Sequence, residues 1–161
     1  MEYLFDTNIF VESKKNLPMD VWPTFWTKMV ELINSGIIHS IDKVKDEIDK
    51  GGDKLTDWIH DNAPRGFFLH QDVEVMMKLA ETVEWANKNP IKFTPAAIAD
   101  YVKVADSYLV ATAAAKDMTL VTYEKSNPLR RSRVMIPDAC YALGVKCCDL
   151  NTALRELGVH I

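Results

Sequence analysis

The sequence predicts an α/β protein, a three-layer α/β/α sandwich around a central, mainly parallel sheet of four to five strands. Three observations carry that expectation. Short apolar runs bounded by turn formers alternate along the chain with amphipathic helical stretches. Strands separated by helical stretches imply parallel pairing, because a parallel crossover needs roughly a dozen or more connecting residues. An alanine-rich stretch at 96–116 also offers a helix whose small side chains allow it to lie close on a sheet.

Tyr3-Leu4-Phe5 is an apolar run ended by the turn formers Asp6-Thr7-Asn8, and reads as a buried strand with Asp6 at its carboxyl end. Residues 21–33 carry Val21, Trp22, Phe25, Trp26, Met29, Val30, Leu32 and Ile33 at helical spacing. Asp20 is the expected N-cap of that helix, and Gly36 follows its end. A second strand is expected at 36–41, after which Asp42 opens a charged helix, 43–50, stopped by Gly51-Gly52. Residues 55–60 and 73–87 read as further helices. Between them lie Pro64-Arg65-Gly66 and Phe67-Phe68-Leu69, whose state the pattern leaves open.

Asn89-Pro90 and Thr94-Pro95 punctuate a loop before the alanine-rich helix, which is expected to break near residues 103–106. Strands are expected at 118–122, 134–136 and 146–148, with short helices at 138–143 and 152–157. No internal repeat or low-complexity tract interrupts this order, so a single domain over 1–161 is expected.

The chain has 161 residues, 48% of them hydrophobic, enough to bury a core without disulfide or metal staples. The opening Met1-Glu2-Tyr3-Leu4-Phe5-Asp6 lacks a basic start and a long apolar run, and no stretch approaches the roughly 18 apolar residues needed to span a bilayer. A cytoplasmic, membrane-free protein is therefore expected. Cys140, Cys147 and Cys148 lack zinc-site spacing and read as reduced, mostly buried small hydrophobes.

A net charge of -4 gives no global attraction to nucleic acid. Any such contact must use a local patch, and the best one is Lys125 to Arg133, with four cations and no acid. No Ser-His-Asp or Cys-His arrangement is visible, and His39, His60, His70 and His160 stand in ordinary contexts. The absence of a glycine-rich phosphate loop argues against nucleotide binding.

In a parallel α/β sheet the working site lies beyond the strands' carboxyl ends, where strand order reverses. Asp6 follows the first strand there, and Glu124 follows the run Leu120-Val121-Thr122-Tyr123. Glu47 lies beside the inward positions Val44 and Ile48 of its helix, and Asp106 precedes the inward stripe Leu109, Val110 and Ala113 by a turn. Taken singly, each acid reads as well as a cap or a surface charge. Taken together, four carboxylates from four elements repel one another unless a cation intervenes. An all-oxygen donor set suits Mg²⁺ or Mn²⁺ better than Zn²⁺.

With Asp6-Thr7-Asn8, Glu47, Asp106-Ser107-Tyr108-Leu109-Val110-Ala111-Thr112-Ala113 and Thr122-Tyr123-Glu124 in this order, the chain resembles the PIN-domain family over roughly residues 3–136, and its tail fits the family's last strand and helix. Two departures stand out: Glu124 replaces the usual Asp, and the segment 51–95 is long enough to form a lid or a partner surface. The resemblance implies Mg²⁺- or Mn²⁺-dependent hydrolysis of RNA, with Asp6 and Asp106 binding metal directly and Glu47 and Glu124 completing the shell. Thr7, Asn8, Ser107 and Thr122 would support these ligands or a water. Lys125, Arg130, Arg131 and Arg133 would grip flanking phosphates. It also implies the toxin of a type II toxin–antitoxin pair, an antitoxin partner and a homodimer.

The alternative is a catalytically weak PIN-like interaction module anchored by Trp22, Phe25, Trp26, Trp58 and Trp85. Helical spacing favours core packing for those aromatics.

Overall fold

A computed structural model describes residues 1–88 and 92–161, and the expected Asn89-Pro90 break lies outside the described residues. The five strands β1 (Tyr3–Phe5), β2 (Ile38–Ile41), β3 (Phe68–Leu69), β4 (Thr119–Val121) and β5 (Cys147–Cys148) form one sheet in the order β3-β2-β1-β4-β5. Every neighbouring pair is parallel. Strand order therefore reverses at β1, which runs beside β2 on one edge and β4 on the other, with Phe5 level with Val121.

Between β1 and β2 lie α1 (Thr7–Asn16) and α2 (Pro23–Asn34); between β2 and β3 lie α3 (Asp42–Gly51) and α4 (Lys54–Asn62). The return to β4 uses α5 (Val73–Lys88), α6 (Pro95–Lys103) and α7 (Ala105–Lys116). Helix α8 (Ile136–Ala142) joins β4 to β5, and α9 (Leu150–Glu156) follows. Helices α1, α3 and α4 pack on one another, as do α5, α6, α7 and α8, and the sheet lies between these groups. The expected three-layer sandwich around a parallel sheet is the one found.

Its core runs through Leu4, Phe5, Ile9, Phe10, Ile38, Leu109 and Leu120, all fully buried. Segment 51–95 supplies α4, the edge strand β3 and α5, whose Val75 and Leu79 pack with Ala111 of α7. Its α4 and α5 are thus structural walls.

Three local expectations are corrected. Asp6-Thr7-Asn8 opens a helix instead of a simple turn, because Ile9, Phe10 and Ser13 fall on one buried face. Residues 134–136 form no strand: Val134 and Ile136 are buried, but Ile136 begins α8 with Pro137 in its first turn, where a missing N–H costs nothing. Helix α2 starts at Pro23 with Trp22 at the N-cap position, not Asp20, for the same reason. The open run at 67–69 resolves into β3, and the alanine-rich stretch breaks at Val104, whose extended backbone separates α6 from α7.

Candidate metal centre at the carboxyl edge of the sheet

Asp6 leaves β1 directly at the switch point and occupies the N-cap position of α1, with only 1% of its surface exposed. Parallel register sets Thr122 beside it, and the Thr122 hydroxyl donates to Asp6 Oδ2 at 2.8 Å while accepting from the Glu124 amide at 3.1 Å. One threonine thus ties the acid after β1 to the acid after β4. Burial pushes the Asp6 carboxyl up to about 6; the Thr122 hydroxyl pulls it down and the Glu124 charge adds to the rise.

Asp106 lies in the first turn of α7. Burial, then the charges of Asp6 and Glu124, push its carboxyl up to about 7, against the opposing pull of Arg133. Two neighbouring carboxyls that resist ionisation mark a rim short of positive charge.

Glu47 reaches the same rim from α3. Its Oε2 accepts from the Thr7 hydroxyl at 2.7 Å, and its Oε1 accepts the Ala105 amide at 3.2 Å, the first N–H of α7. Glu124 does the equivalent for α8, its Oε1 accepting the Ile136 amide at 3.3 Å. The starts of α1, α7 and α8 therefore each meet one of the acids, where helix dipoles and orphan N–H groups favour negative charge. The cap role and the shared rim belong to the same residues.

Arg133 also enters this rim. Its guanidinium donates to Glu124 Oε2 at 3.0 Å and lies 3.6 Å from Asp106 Oδ2, although Arg133 itself is half exposed. Sequence alone set this arginine among phosphate-contacting cations, and nothing in its run of basic neighbours singles it out for the acids. Lys125, Arg130 and Arg131 lie exposed on the adjoining loop, with Arg130 Nε on the Ser132 hydroxyl at 3.2 Å and Arg131 Nε on the Lys92 carbonyl at 3.0 Å.

Of the supporting residues, Thr7 and Thr122 hold acids through side-chain hydrogen bonds, and Asn8 is partly buried in the first turn of α1. The Ser107 hydroxyl is buried with no partner among the described residues. A cavity of about 340 Å³ borders the rim, lined in part by Asp100, Tyr101, Asp106, Arg130, Ser132 and Arg133. Asp100 and Tyr101 were not singled out from sequence; the four-residue spacing of Ala97 and Tyr101, both buried, is the one available signal for that face.

The sequence profile of the family described as "Domain of unknown function (DUF4411)" matches residues 3–161. The chain belongs to this family. No curated protein matches it. Among solved structures, this DUF4411 chain resembles the crystal structure of FitAcB from Neisseria gonorrhoeae, with a TM-score of 0.51 and 19% identity over 91% of this chain and 96% of that one. At that identity the likeness is one of fold.

The donor set of this DUF4411 rim, four carboxylates of which two have their ionisation opposed by burial and by neighbouring acidic charge, is of the kind a hard divalent cation prefers. Among the described residues, no three Asp, Glu, His or Cys side chains already stand at ion-holding separation. Instead, the Arg133 guanidinium supplies positive charge between Asp106 and Glu124.

Proposed function

We propose that this chain is a Mg²⁺- or Mn²⁺-dependent ribonuclease that hydrolyses phosphodiester bonds at the carboxyl edge of its sheet. The observation that carries this reading is the meeting of Asp6, Asp106 and Glu124 at the β1–β4 switch point, where burial and the charge of Glu124 push both aspartate carboxyls up. A bound divalent cation would lower the pKa of an attacking water and neutralise charge on the scissile phosphate.

Asp6 and Asp106 would hold the cation directly, with Glu47 and Glu124 completing the shell and one of them accepting a proton from the water. Thr122 and Thr7 would fix the rotamers of Asp6 and Glu47 through the hydrogen bonds they already make. Asn8 and Ser107 would serve the same shell. Lys125, Arg130 and Arg131 stand exposed beside the rim and would contact phosphates of the RNA.

The PIN-domain resemblance extends this reading to a cytoplasmic toxin held by an antitoxin and working as a homodimer. No helix among the described residues is long and apolar enough to cross a membrane. The interaction-module alternative gains little from its anchors: Phe25 and Trp26 are buried, and Trp58 and Trp85 pack against the core, which leaves Trp22 at 48% exposure.

The test is calorimetric titration of Mn²⁺ and Mg²⁺ into the wild type and an Asp6→Asn, Asp106→Asn double variant, paired with cleavage of single-stranded RNA. The expected result is binding and cleavage by the wild type and neither by a folded double variant. A wild type that binds neither ion at millimolar concentration overturns the proposal.

A further inference from the structure

We propose that Arg133 is the protein's own stand-in for the divalent cation: its guanidinium holds Asp106 and Glu124 in the metal-free state and must be displaced before an ion can take both carboxylates. This rests on the metal-dependent reading of the rim given above and adds a control on its occupancy.

The geometry makes the competition direct. Glu124 Oε2 accepts from Arg133 at 3.0 Å, and Asp106 Oδ2 lies 3.6 Å from the same guanidinium nitrogen. Both acids are well shielded, with side chains 8% and 17% exposed, whereas Arg133 is 46% exposed. The carboxylates are thus fixed in the protein, and the guanidinium reaches them from the solvent side of a loop. Such a cation is removable: an exposed flexible arginine recovers hydration and rotamer freedom when it leaves, while the buried acids gain a stronger counter-charge from the ion that replaces it.

Other contacts that hold the rim do not involve Arg133. Glu124 stays tied to the start of α8 through the Ile136 amide, and Asp6 stays bonded to Thr122. Withdrawal of the guanidinium therefore breaks no helix cap. The cavity of about 340 Å³ alongside already has Arg133 and Arg130 in its wall together with Ser132 and Tyr101. A released guanidinium at that wall is a planar, bidentate donor suited to a phosphate oxygen pair. Arg133 would then be a positioning residue in two states, on carboxylates when the ion is absent and on nucleic-acid phosphate when it is present.

The experiment is Mn²⁺ calorimetry at pH 8 on the wild type, Arg133→Gln and Arg133→Lys, with circular dichroism to confirm folding. Removing a charge-assisted competitor that is half exposed should tighten Mn²⁺ binding about tenfold in the Gln variant. The Lys variant, with a point charge that cannot bridge two acids, should fall between. In parallel, Mg²⁺ titration of ¹⁵N-arginine-labelled wild type should shift the Arg133 Nε resonance, which needs no variant to fold.

Unchanged or weaker Mn²⁺ affinity in a folded Gln variant, or an Arg133 resonance indifferent to saturating Mg²⁺, overturns the exchange while leaving the metal-dependent reading intact. A wild type that fails to bind beside a Gln variant that binds supports it strongly. If no form binds, the metal reading of the rim fails and the exchange fails with it.

Discussion

Asp6 and Asp106 are the residues on which the rim's energetics turn. Both carboxyls are held above their ordinary value of 3.8, at about 6 and about 7, so between about pH 4 and 7 the folded chain binds protons that the unfolded chain has released. A raised acid pKa contributes stability that is present at low pH and is lost as pH rises towards the folded value. Asp49, Asp53, Asp72 and Asp149, whose carboxyls are lowered by their partners, act in the opposite sense but complete their titration below pH 5. In EDTA, urea unfolding at pH 5 and pH 8 should therefore show the protein less stable at pH 8 by on the order of 3 kcal/mol from these two acids. The Asp6→Asn, Asp106→Asn variant should lose most of that difference, and an equal pH dependence in the variant refutes the assignment. The placing of Asp6, Asp106 and Glu124 at element ends was legible in sequence, because each follows a strand or opens a helix, and Glu47 was legible through its place beside the inward Val44 and Ile48 of α3. The partner of two of them was not, since Arg133 is one of four similar cations in a nine-residue run and only the path of the loop brings it back.

At the scale of elements, that loop is held at both ends. Glu124 accepts the first N–H of α8, and Asp138 in the first turn of α8 accepts from the Ser126 hydroxyl and, at 2.9 Å, from the Asn127 amide. Asp138→Ala should cost about 1 kcal/mol of stability, the usual scale for a lost side-chain bond to backbone at a helix start. It should also speed tryptic cleavage at Lys125, Arg130 and Arg131; an unchanged digestion pattern would show the tether to be incidental. Strand and helix positions with one periodicity were readable, as at Tyr3–Phe5, Val73–Lys88 and the break at Val104. Two elements misled. In α1, Asp6-Thr7-Asn8 read as turn formers that only end β1, yet Thr7 and Asn8 are the first turn of a helix whose buried Ile9, Phe10 and Ser13 have helical spacing. At 134–136 the alternation buried, half-buried, buried is real, but it comes from a loop pinned by Glu124, and no neighbouring strand is hydrogen-bonded to it.

For the whole molecule, α7 is the member that connects core and rim. It carries Asp106 in its first turn and buries Leu109, Val110 and Ala113 below it, with α5, α6 and α8 packed around it. Leu109→Ala should destabilise the protein by about 2–5 kcal/mol, as cavities in well-packed cores do, seen as a lower urea midpoint with an unchanged slope. A cost under about 1 kcal/mol would mean that the layers around α7 close up freely. The order β3-β2-β1-β4-β5 has a further consequence for synthesis. The central strand β1 precedes both of its neighbours in the chain, and one of them is Thr119–Val121, so one side of Tyr3–Phe5 stays unpaired until that distant strand has been translated. Asp6 gains Thr122 and Glu124 only then, and Arg133 later still. If the proposed ribonuclease reading holds, a growing chain on the ribosome, surrounded by RNA, thus carries Asp6 without the rest of the rim until residues 122–133 have been made.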